Sequence, residues 1–258
     1  MGFAGLTAHA ADEVPQHRLL NDTFRVTVGE FYAESNTAAR LGSSTGGVGV
    51  DVNLEDTLGL EARKPVGEFA AYWRFAERWR VDVDYFRLNR SATRQLSADL
   101  AWGDQTFTAG TTVNSNVQIS DLRAALGYSF FRRTDKELGV GLGLHTLGFK
   151  ASIDAAGVGG RTESVTAPLP FIGLYGAFAL TDTWALTVRA DWLSLAYDKY
   201  SGGIRASAID VVYQPFKNVA FGVGLHSLNL RLDVDNPNSK FQARVALQGP
   251  AAFMSVSF

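Results

Sequence analysis

Charged side chains recur at every second position in several short runs of this chain. The clearest run is Arg80-Val81-Asp82-Val83-Asp84, and the same alternation occurs in Asp121-Leu122-Arg123 and in Arg189-Ala190-Asp191. Because successive residues of a β-strand point to opposite faces, each run would collect its charges on one side of a strand. Guanidinium and carboxylate groups confined together are expected to pair, since an unpaired charge removed from water is costly.

Two histidines lie in matching contexts. The stretch Gly141-Leu-Gly-Leu-His145-Thr-Leu resembles Gly222-Val-Gly-Leu-His226-Ser-Leu. We expect both histidines to face the interior at similar depth, where the glycines leave space for larger neighbours. An imidazole there could act as a general base, but we interpret both as members of a polar network. The predicted lumen network is Arg74, Arg80, Asp82, Asp84, Asp121, Arg123, His145, Arg189, Asp191, His226, Arg231 and Arg244. We predict no catalytic residue, no metal site and no cofactor.

The elements that carry these residues read as β-strands, with apolar and polar residues alternating. The predicted spans are 24–35, 66–76, 79–98, 108–131, 136–153, 166–180, 184–200, 203–216, 219–234 and 239–258. Residues 36–65 are the least regular and could form a long extracellular loop that is partly folded into the mouth. If 48–63 forms a hairpin in the wall, the count becomes twelve. The pattern predicts an all-β protein, an antiparallel up-and-down barrel of about ten strands.

The connections between these strands alternate in kind. Short turns are predicted near 77–78, 132–135, 181–183 and 217–218, and mostly longer loops near 98–108, 154–166, 201–203 and 235–239. Aromatic residues flank every short turn, as expected where amphipathic rings gather at a membrane interface. The predicted periplasmic girdle is Phe24, Phe75, Trp79, Phe130, Phe178, Trp184, Tyr213, Phe216 and Phe258. Short turns on one side and long loops on the other are typical of a transmembrane barrel.

Composition agrees with this interpretation and excludes other classes. The 258 residues include no Cys, so neither disulfides nor a Cys-based metal site are expected. The net charge of −2 argues against nucleic acid as a partner. Mean hydropathy is −0.01 and no apolar run reaches 18 residues, so no transmembrane helix is predicted. A barrel has this average because its lipid-facing and lumen-facing residues alternate.

The last stretch, Phe241 to Phe258, alternates up to a terminal aromatic residue. With Met254, Val256 and Phe258 on one face, it resembles the closing strand of bacterial outer-membrane β-barrels, whose terminal Phe is part of the signal read by their assembly machinery. The resemblance implies a porin-like integral protein of a Gram-negative outer membrane. It implies contacts with outer-membrane lipid and lipopolysaccharide, and with the barrel-assembly machinery through this strand. A small-molecule solute is a further possible partner.

The resemblance leaves the role open. We expect a structural barrel or a narrow passive conduit for small or apolar solutes, with a lumen largely filled by side chains. The alternative is an outer-membrane enzyme acting on lipid A or on peptides. Lipid A deacylases of the small-barrel type use a His and a Ser two positions apart on one strand face, but Ser227 directly follows His226. The omptin proteases place Asp and His at the extracellular rim, where we expect neither His145 nor His226.

The first residues precede the barrel. Ala8-His9-Ala10 has the small-x-small pattern of a signal-peptidase site. We therefore predict residues 1–10 as the remnant of a signal peptide, 11–22 as a periplasmic lead-in and 23–258 as a single barrel domain.

Overall fold

The computed structural model describes residues 17–42, 51–102, 104–197, 200–236 and 239–258. The predicted signal-peptidase site lies outside these residues. The strands are β1 (Phe24–Leu41), β2 (Val52–Asn53), β3 (Arg63–Ala76), β4 (Trp79–Gln95), β5 (Leu100–Trp102), β6 (Gln105–Phe107), β7 (Thr112–Arg132), β8 (Lys136–Ala155), β9 (Gly159–Ala179), β10 (Trp184–Tyr197), β11 (Tyr200–Tyr213), β12 (Val219–Asn236) and β13 (Ser239–Ser257). A 3₁₀ turn (Arg18–Leu20) precedes β1, and a short helix, α1 (Leu54–Leu58), follows β2. Neither helix is long and apolar enough to cross a membrane.

Ten long strands form one closed antiparallel barrel. The first and last strands close it, with Val26 opposite Val256 and Leu41 opposite Phe241. Both ends of the barrel chain meet at the side of the short turns, where the backbone N–H groups of Thr23 and Phe24 donate to the Phe258 carbonyl at 3.1 Å. The predicted ten-strand barrel is therefore confirmed. The twelve-strand alternative is wrong, because the segment after residue 51 forms a two-residue strand and the helix α1 instead of a wall hairpin.

The outer face of the strands changes from apolar to polar along their length. On β8 the outward side chains Val140, Leu142 and Leu144 are exposed, whereas further along the strand Lys150 and Asp154 occupy outward positions. On β7 the outward residues change in the same way. The apolar part covers the roughly 9–11 residues that a tilted strand needs to cross the bilayer. The polar remainder of each strand therefore projects beyond the outer leaflet.

The predicted girdle residues lie at the side of the short turns. Eight of them have exposed side chains, and Phe178 is half-buried. Two cross-strand pairs of rings are in contact: Trp184 stacks on Tyr213 at 4.6 Å between ring centroids, and Trp79 packs against Tyr128 at 4.9 Å with the rings tilted. Such rings prefer the boundary between hydrocarbon and water, so they fix the height of the barrel in the membrane.

The interior of the projecting half is apolar. Its inward side chains form one buried cluster that includes Phe149, Ile153, Leu230 and Phe241. The expectation of a polar lumen therefore holds for the membrane half alone. Above the membrane the wall has water outside and can bury apolar residues inside, as the sheets of soluble proteins do.

Two members of the predicted lumen network lie on the outer face instead. Arg231 lies between the buried Leu230 and Leu232, and its side chain is 61% exposed. Arg244 lies directly opposite Arg231 and is 50% exposed. Both belong to the projecting part of their strands, where the outer surface meets water and a charge there costs little.

Two of the predicted extracellular loops, 154–166 and 235–239, are shorter than expected, and the loop predicted at 201–203 is wrong because these residues belong to β11. Strand pairing runs from β8 to β9 up to Ala155 opposite Gly159, from β10 to β11 up to Tyr197 opposite Tyr200, and from β12 to β13 up to Asn236 opposite Ser239. The apolar interior explains the difference, because it rewards continued pairing above the membrane.

Two inward-folded segments fill the mouth of the barrel. The helix α1 buries Leu54 and Leu58, and the small hairpin β5–β6 buries Trp102 and Phe107. Asn53 caps α1 by accepting the Asp56 N–H at 2.9 Å. The expectation that the first long loop is partly folded into the mouth is thus correct for residues 51–62.

Pairing between neighbouring strands stops early at two places in the wall. β3 and β4 pair no further than Glu68 opposite Phe86. β9 and β10 pair no further than Ile172 opposite Trp192, although β9 continues to Gly159 and β10 to Tyr197. Both gaps lie on the extracellular side.

A charge on the outer wall tests the height of the membrane. Leu142→Arg places a guanidinium in the hydrocarbon and should cost about 2–4 kcal/mol near the midplane. Asn116→Arg, on the outer face of the projecting part of β7, should be nearly silent. Denaturant titration of both variants in lipid vesicles measures the difference. Equal tolerance would mean that the boundary lies elsewhere.

Candidate functional site

The charged residues of the membrane half form a network centred on Arg123. Its Nε donates to Asp191 Oδ2 at 2.6 Å and its Nη1 to Asp84 Oδ2 at 2.9 Å. Arg189 Nη1 donates to the other Asp84 oxygen, also at 2.9 Å. Asp84 and Arg123 are opposite each other in the β4–β7 register, so the two strands themselves bring this pair together. Asp191 is supplied from across the lumen by β10.

His145 extends the network on β8. Its Nδ1 lies 2.7 Å from Asp121 Oδ2, and its Nε2 faces Asp191 Oδ2 at 3.7 Å. The Phe171 ring packs against the imidazole with centroids 4.8 Å apart, and the Arg123 guanidinium lies 4.8 Å from the same ring. The histidine is buried, with a carboxylate beside each ring nitrogen.

A second group of charges lies nearer the periplasmic turns. Arg74 Nη2 donates to both Glu137 oxygens, at 2.7 and 2.8 Å. Ser129 bonds to the same carboxylate and to the Tyr175 hydroxyl, the latter at 2.9 Å. Arg80 pairs with Asp82 at 3.0 Å and lies 3.4 Å above the Tyr175 ring centroid. Arg74 therefore donates to two carboxylate oxygens, and Arg80 has one anionic and one aromatic neighbour. Both guanidinium groups lie in a confined space.

His226 forms a third, smaller group with two acids. Its Nε2 lies 3.0 Å from Asp210 Oδ1 and its Nδ1 3.2 Å from Glu68 Oε2. A cavity of about 260 Å³ lies beside this group and the central network and extends toward the periplasmic end, with Glu68, Asp84, Arg189, His226 and Leu19 among its lining residues. The membrane half of the lumen is thus crowded but retains one cavity.

The structure brings ten of the twelve predicted network residues into this interior, and it adds three that the prediction omitted. Glu137, Glu68 and Asp210 each pair with a predicted member. The sequence alone could have placed them in the lumen, because each falls at one of the alternate positions of its strand whose side chains face inward. They were missed because Glu68 and Asp210 have no second charge two residues away, and because Glu137 lies at the very start of β8, beside the predicted turn.

Glycines on the inner face make room for this packing. A Cβ atom on Gly139 would lie 2.1 Å from the Tyr175 ring, and one on Gly222 would lie 2.1 Å from the Phe253 ring. The large side chains therefore lie flat across the neighbouring strand. The predicted role of the glycines, space for larger neighbours, agrees with this geometry.

Gly139→Val should disturb this packing strongly. The added side chain must displace Tyr175, and overpacking of this kind costs about 1–3 kcal/mol or more. Gly141→Ala is the matched control, because the nearest atom to its Cβ would be the Leu126 carbonyl at 3.7 Å, an ordinary contact. Heat-modifiable migration on gels should show Gly139→Val unfolding at lower temperature, and equal behaviour of the two variants would contradict the packing argument.

The segment before β1 closes the periplasmic end. Leu19 and Leu20 are buried against Ala177, Val212 and Ala220. Arg25 and Arg132 each donate to a carbonyl of this segment, those of Leu19 at 2.9 Å and Leu20 at 3.1 Å. The part of the predicted lead-in that the structure describes is therefore a plug.

His17 makes this plug sensitive to pH. The side chain is fully buried, and its Nδ1 accepts the Leu19 N–H at 3.1 Å. Burial lowers the pKa of His17 below its usual 6.5, so folding favours the neutral ring. The stabilisation is present above that pH and is lost as the pH falls below it.

A spin label on Arg18→Cys should therefore be immobile at pH 8 and mobile well below pH 6.5. His17→Gln, which can accept the same hydrogen bond but does not titrate, should abolish the change. A label that responds to pH equally in both proteins would exclude His17 as the cause.

Comparison with known proteins rests on structure. No family model and no curated protein matches the sequence. The outer membrane protease OmpT from Escherichia coli superposes with a TM-score of 0.56 over 91% of this chain and 96% of that one, at 11% identity. Together with the closed ten-strand wall and its apolar belt, this likeness decides the fold. The chain has the fold of an outer-membrane β-barrel.

Other outer-membrane barrels match less closely. The translocator domain of the autotransporter NalP from Neisseria meningitidis gives a TM-score of 0.41 at 11% identity, covering 92% of this chain and 88% of that one. Neisserial surface protein A gives 0.34 at 16%, covering 92% and 97%. The belt of exposed apolar side chains around the closed wall is the feature that lets such a barrel cross a membrane. At these identities the likeness concerns the fold alone.

Proposed function

We propose that this protein is a structural outer-membrane barrel whose lumen is closed to ions and polar solutes. The observation that carries the proposal is the filling of the lumen at three successive levels. The N-terminal plug lies at the periplasmic end, the paired charges lie in the membrane half, and the apolar core with α1 and β5–β6 lies above.

The charge pattern supports a closed lumen over a selective pore. Pores that select ions carry rings of one dominant sign. Here Arg123 and Arg189 are neutralised by Asp84 and Asp191 across the same space. Charges paired in this way link opposite walls instead of lining a path.

Conductance in a planar bilayer tests the proposal. The reconstituted protein should give no large, stable channel at neutral pH, whereas a porin inserted under the same conditions provides the positive control. A steady conductance of porin size would overturn the proposal, and the protein would then be described as a porin.

The contacts of the two histidines argue against the enzymatic alternative. In the described residues no Ser or Thr hydroxyl is bonded to His145 or His226, and both nitrogens of each ring face carboxylates. A nucleophilic mechanism needs a base within hydrogen-bond reach of its nucleophile. Mass spectrometry of lipid A from cells with and without the protein, and of a peptide mixture incubated with it, should show no change. A new product in either assay would establish an enzyme.

The partners follow from the proposed role. The outer wall contacts outer-membrane lipid and, above it, lipopolysaccharide, and β13 with Met254, Val256 and Phe258 serves as the signal for the barrel-assembly machinery. Phe258 ends the chain with an exposed ring on the lipid-facing side. A lowered assembly yield of Phe258→Ala would support this partner, and an unchanged yield would oppose it.

A further inference from the structure

The wall opening between β9 and β10 differs in kind from the opening between β3 and β4. The β3–β4 gap is covered by α1, which Arg90 and Arg94 tie to β4. Arg94 Nη1 donates to the Asp56 carbonyl at 2.6 Å, and Arg90 pairs with Glu55. Among the side chains that the structure describes on these strands, which do not include 195–200, no hydrogen bond or ion pair crosses from β9 to β10 or β11 above Ile172. We refer to this second opening as the β9–β10 seam.

The seam begins at the height of the outer leaflet. Counting from Phe178 at the periplasmic turn, the roughly 9–11 residues that a strand needs to cross the bilayer end at Pro170 and Pro168. Ile172 and Trp192, the last opposed pair, are both 41% exposed on the lipid-facing side. The upper end of the hydrocarbon therefore meets the lower end of the seam.

The two prolines suit an opening that stays unpaired. Pro168 and Pro170 lie on the outer side of β9, just past the point where pairing with β10 stops. Proline has no N–H to donate to a ladder and is confined to sheet edges and bulges. Each proline also removes one backbone donor that would be costly to leave unpaired beside lipid. The same property disfavours an added protein strand along this edge.

The interior behind the seam is apolar. Ala167, Leu169 and Phe171 of β9 face inward there and belong to the buried cluster, and Leu193 of β10 packs against it. Leu169 reaches Gly202 on β11, where a Cβ would lie 3.3 Å from its methyl carbon. The Leu169 methyl group thus lies against the Gly202 backbone on the inner side of the seam. Such a contact can be parted without leaving a buried polar group unpaired.

We infer that the β9–β10 seam is a lateral portal through which an acyl chain of an outer-leaflet lipid enters the extracellular half of the barrel. The chain would pass between Ile172 and the prolines, displace Leu169 from Gly202 and contact Phe171 and Leu193. This inference goes beyond the proposed function, because a lumen that is closed along its axis can still admit a lipid chain from the side.

Single cysteines report on this access directly, since the chain has no Cys of its own. Leu169→Cys places a thiol behind the seam. Leu147→Cys is the matched control, because Leu147 faces inward on β8 opposite Ala167 and is paired on both edges. Each protein is labelled with a bimane fluorophore in denaturant, where the thiol is accessible, and is then folded into phosphatidylcholine vesicles with brominated or plain acyl chains.

Brominated chains should quench most of the fluorescence at position 169 and leave that at position 147 unchanged. A second protein locks the seam: continuing the β9–β10 register beyond Ile172–Trp192 places Pro170 opposite Ser194. In this protein the disulfide of Pro170→Cys/Ser194→Cys is formed by oxidation first, and the remaining thiol of Leu169→Cys is labelled afterwards. The disulfide should abolish the quenching, and its reduction should restore it.

Equal fluorescence at 169 and 147 with brominated chains would overturn the portal, as would quenching that persists in the locked protein. To keep the inference independent of any disturbance by the label, the unlabelled Leu169→Cys thiol is also reacted with an alkyl maleimide dissolved in the vesicles. The thiol should react with the alkyl maleimide, whereas it should not react with a charged maleimide in the water phase. The conductance measurement tests the closed lumen separately, so either idea can fail without the other.

Discussion

Arg123→Ala should destabilise the barrel by about 3–5 kcal/mol, the loss expected when one partner of a buried ion pair is removed. The side chain of Arg123 is 7% exposed and bridges Asp84 to Asp191. Its removal leaves Asp191, which is 1% exposed, with the His145 ring at 3.7 Å and the Arg189 guanidinium at 3.9 Å as its remaining neighbours. The temperature at which the folded band is lost on gels, and denaturant titration in vesicles, measure the effect.

Arg189→Ala is the matched control for this prediction. Arg189 bonds to Asp84 from a position that is 29% exposed to the cavity, so water can replace part of its interaction. We expect a smaller loss than for Arg123→Ala. The double variant Arg123→Ala/Asp191→Asn, which removes both charges of the buried pair, should recover part of the stability. Equal, small effects of the two arginines would show that the network contributes little.

The same variants also test closure of the lumen. If the Arg123 bridges hold β4, β7 and β10 together across the interior, their loss should let the membrane half open more often. Arg123→Ala should then give brief conductance steps in a planar bilayer where the wild type gives none. If Arg123→Ala is as stable as the wild type and gives no conductance, the plugs at the two ends suffice to close the barrel.

Arg90→Ala should have an effect of similar size, about 3–5 kcal/mol, but confined to the mouth. Arg90 is 1% exposed, pairs with Glu55 of α1 and donates to Thr37 Oγ1 at 2.8 Å. Glu55 in turn accepts the Thr37 backbone N–H at 2.9 Å. One guanidinium thus joins β4, β1 and α1, and without it the inward-folded helix loses its polar anchor.

Limited proteolysis of intact reconstituted protein measures this release. Cleavage within 51–62 should appear in Arg90→Ala, while the membrane half keeps its resistance to heat. Arg94→Ala, which removes a bond from a more exposed residue to the Asp56 carbonyl, provides the control and should be cleaved much more slowly. Protection of 51–62 in both variants would show that Leu54 and Leu58 hold α1 in place without the ion pair.

The alternation in the sequence determined the barrel itself. Period two is a local property of extended backbone, so strands such as β7 and β12 can be read from their own residues. The short turns, their aromatic neighbours and the alternating approach to Phe258 belong to the same local information. The sequence also indicated that Arg231 lies on the outer face, since it falls at the same alternate positions of β12 as the outward-facing Phe221 and Leu225. It was misplaced because a charge in a barrel strand was taken to need the lumen, whereas above the membrane the outer face meets water.

The tertiary structure alone decided which charges meet. Asp84 and Arg123 face each other through strand register, but Arg123 and Asp191 are 68 residues apart and meet across the lumen. Such a contact depends on the strand number, tilt and stagger of the closed barrel together, and no local pattern carries these. The same holds for the ion pair of Arg90 with Glu55 and for the fold of α1 into the mouth.

The seam was equally beyond the sequence. Pro168 and Pro170 mark β9 as unusual, but a proline in a strand indicates an edge or a bulge without saying which neighbour is absent. The structure shows that β9 and β10 stop pairing after Ile172 and Trp192, and that Leu169 lies against Gly202 of β11, a contact between distant parts of the chain. The residues on each strand are thus determined locally, whereas the partners across the interior are determined by closure of the barrel.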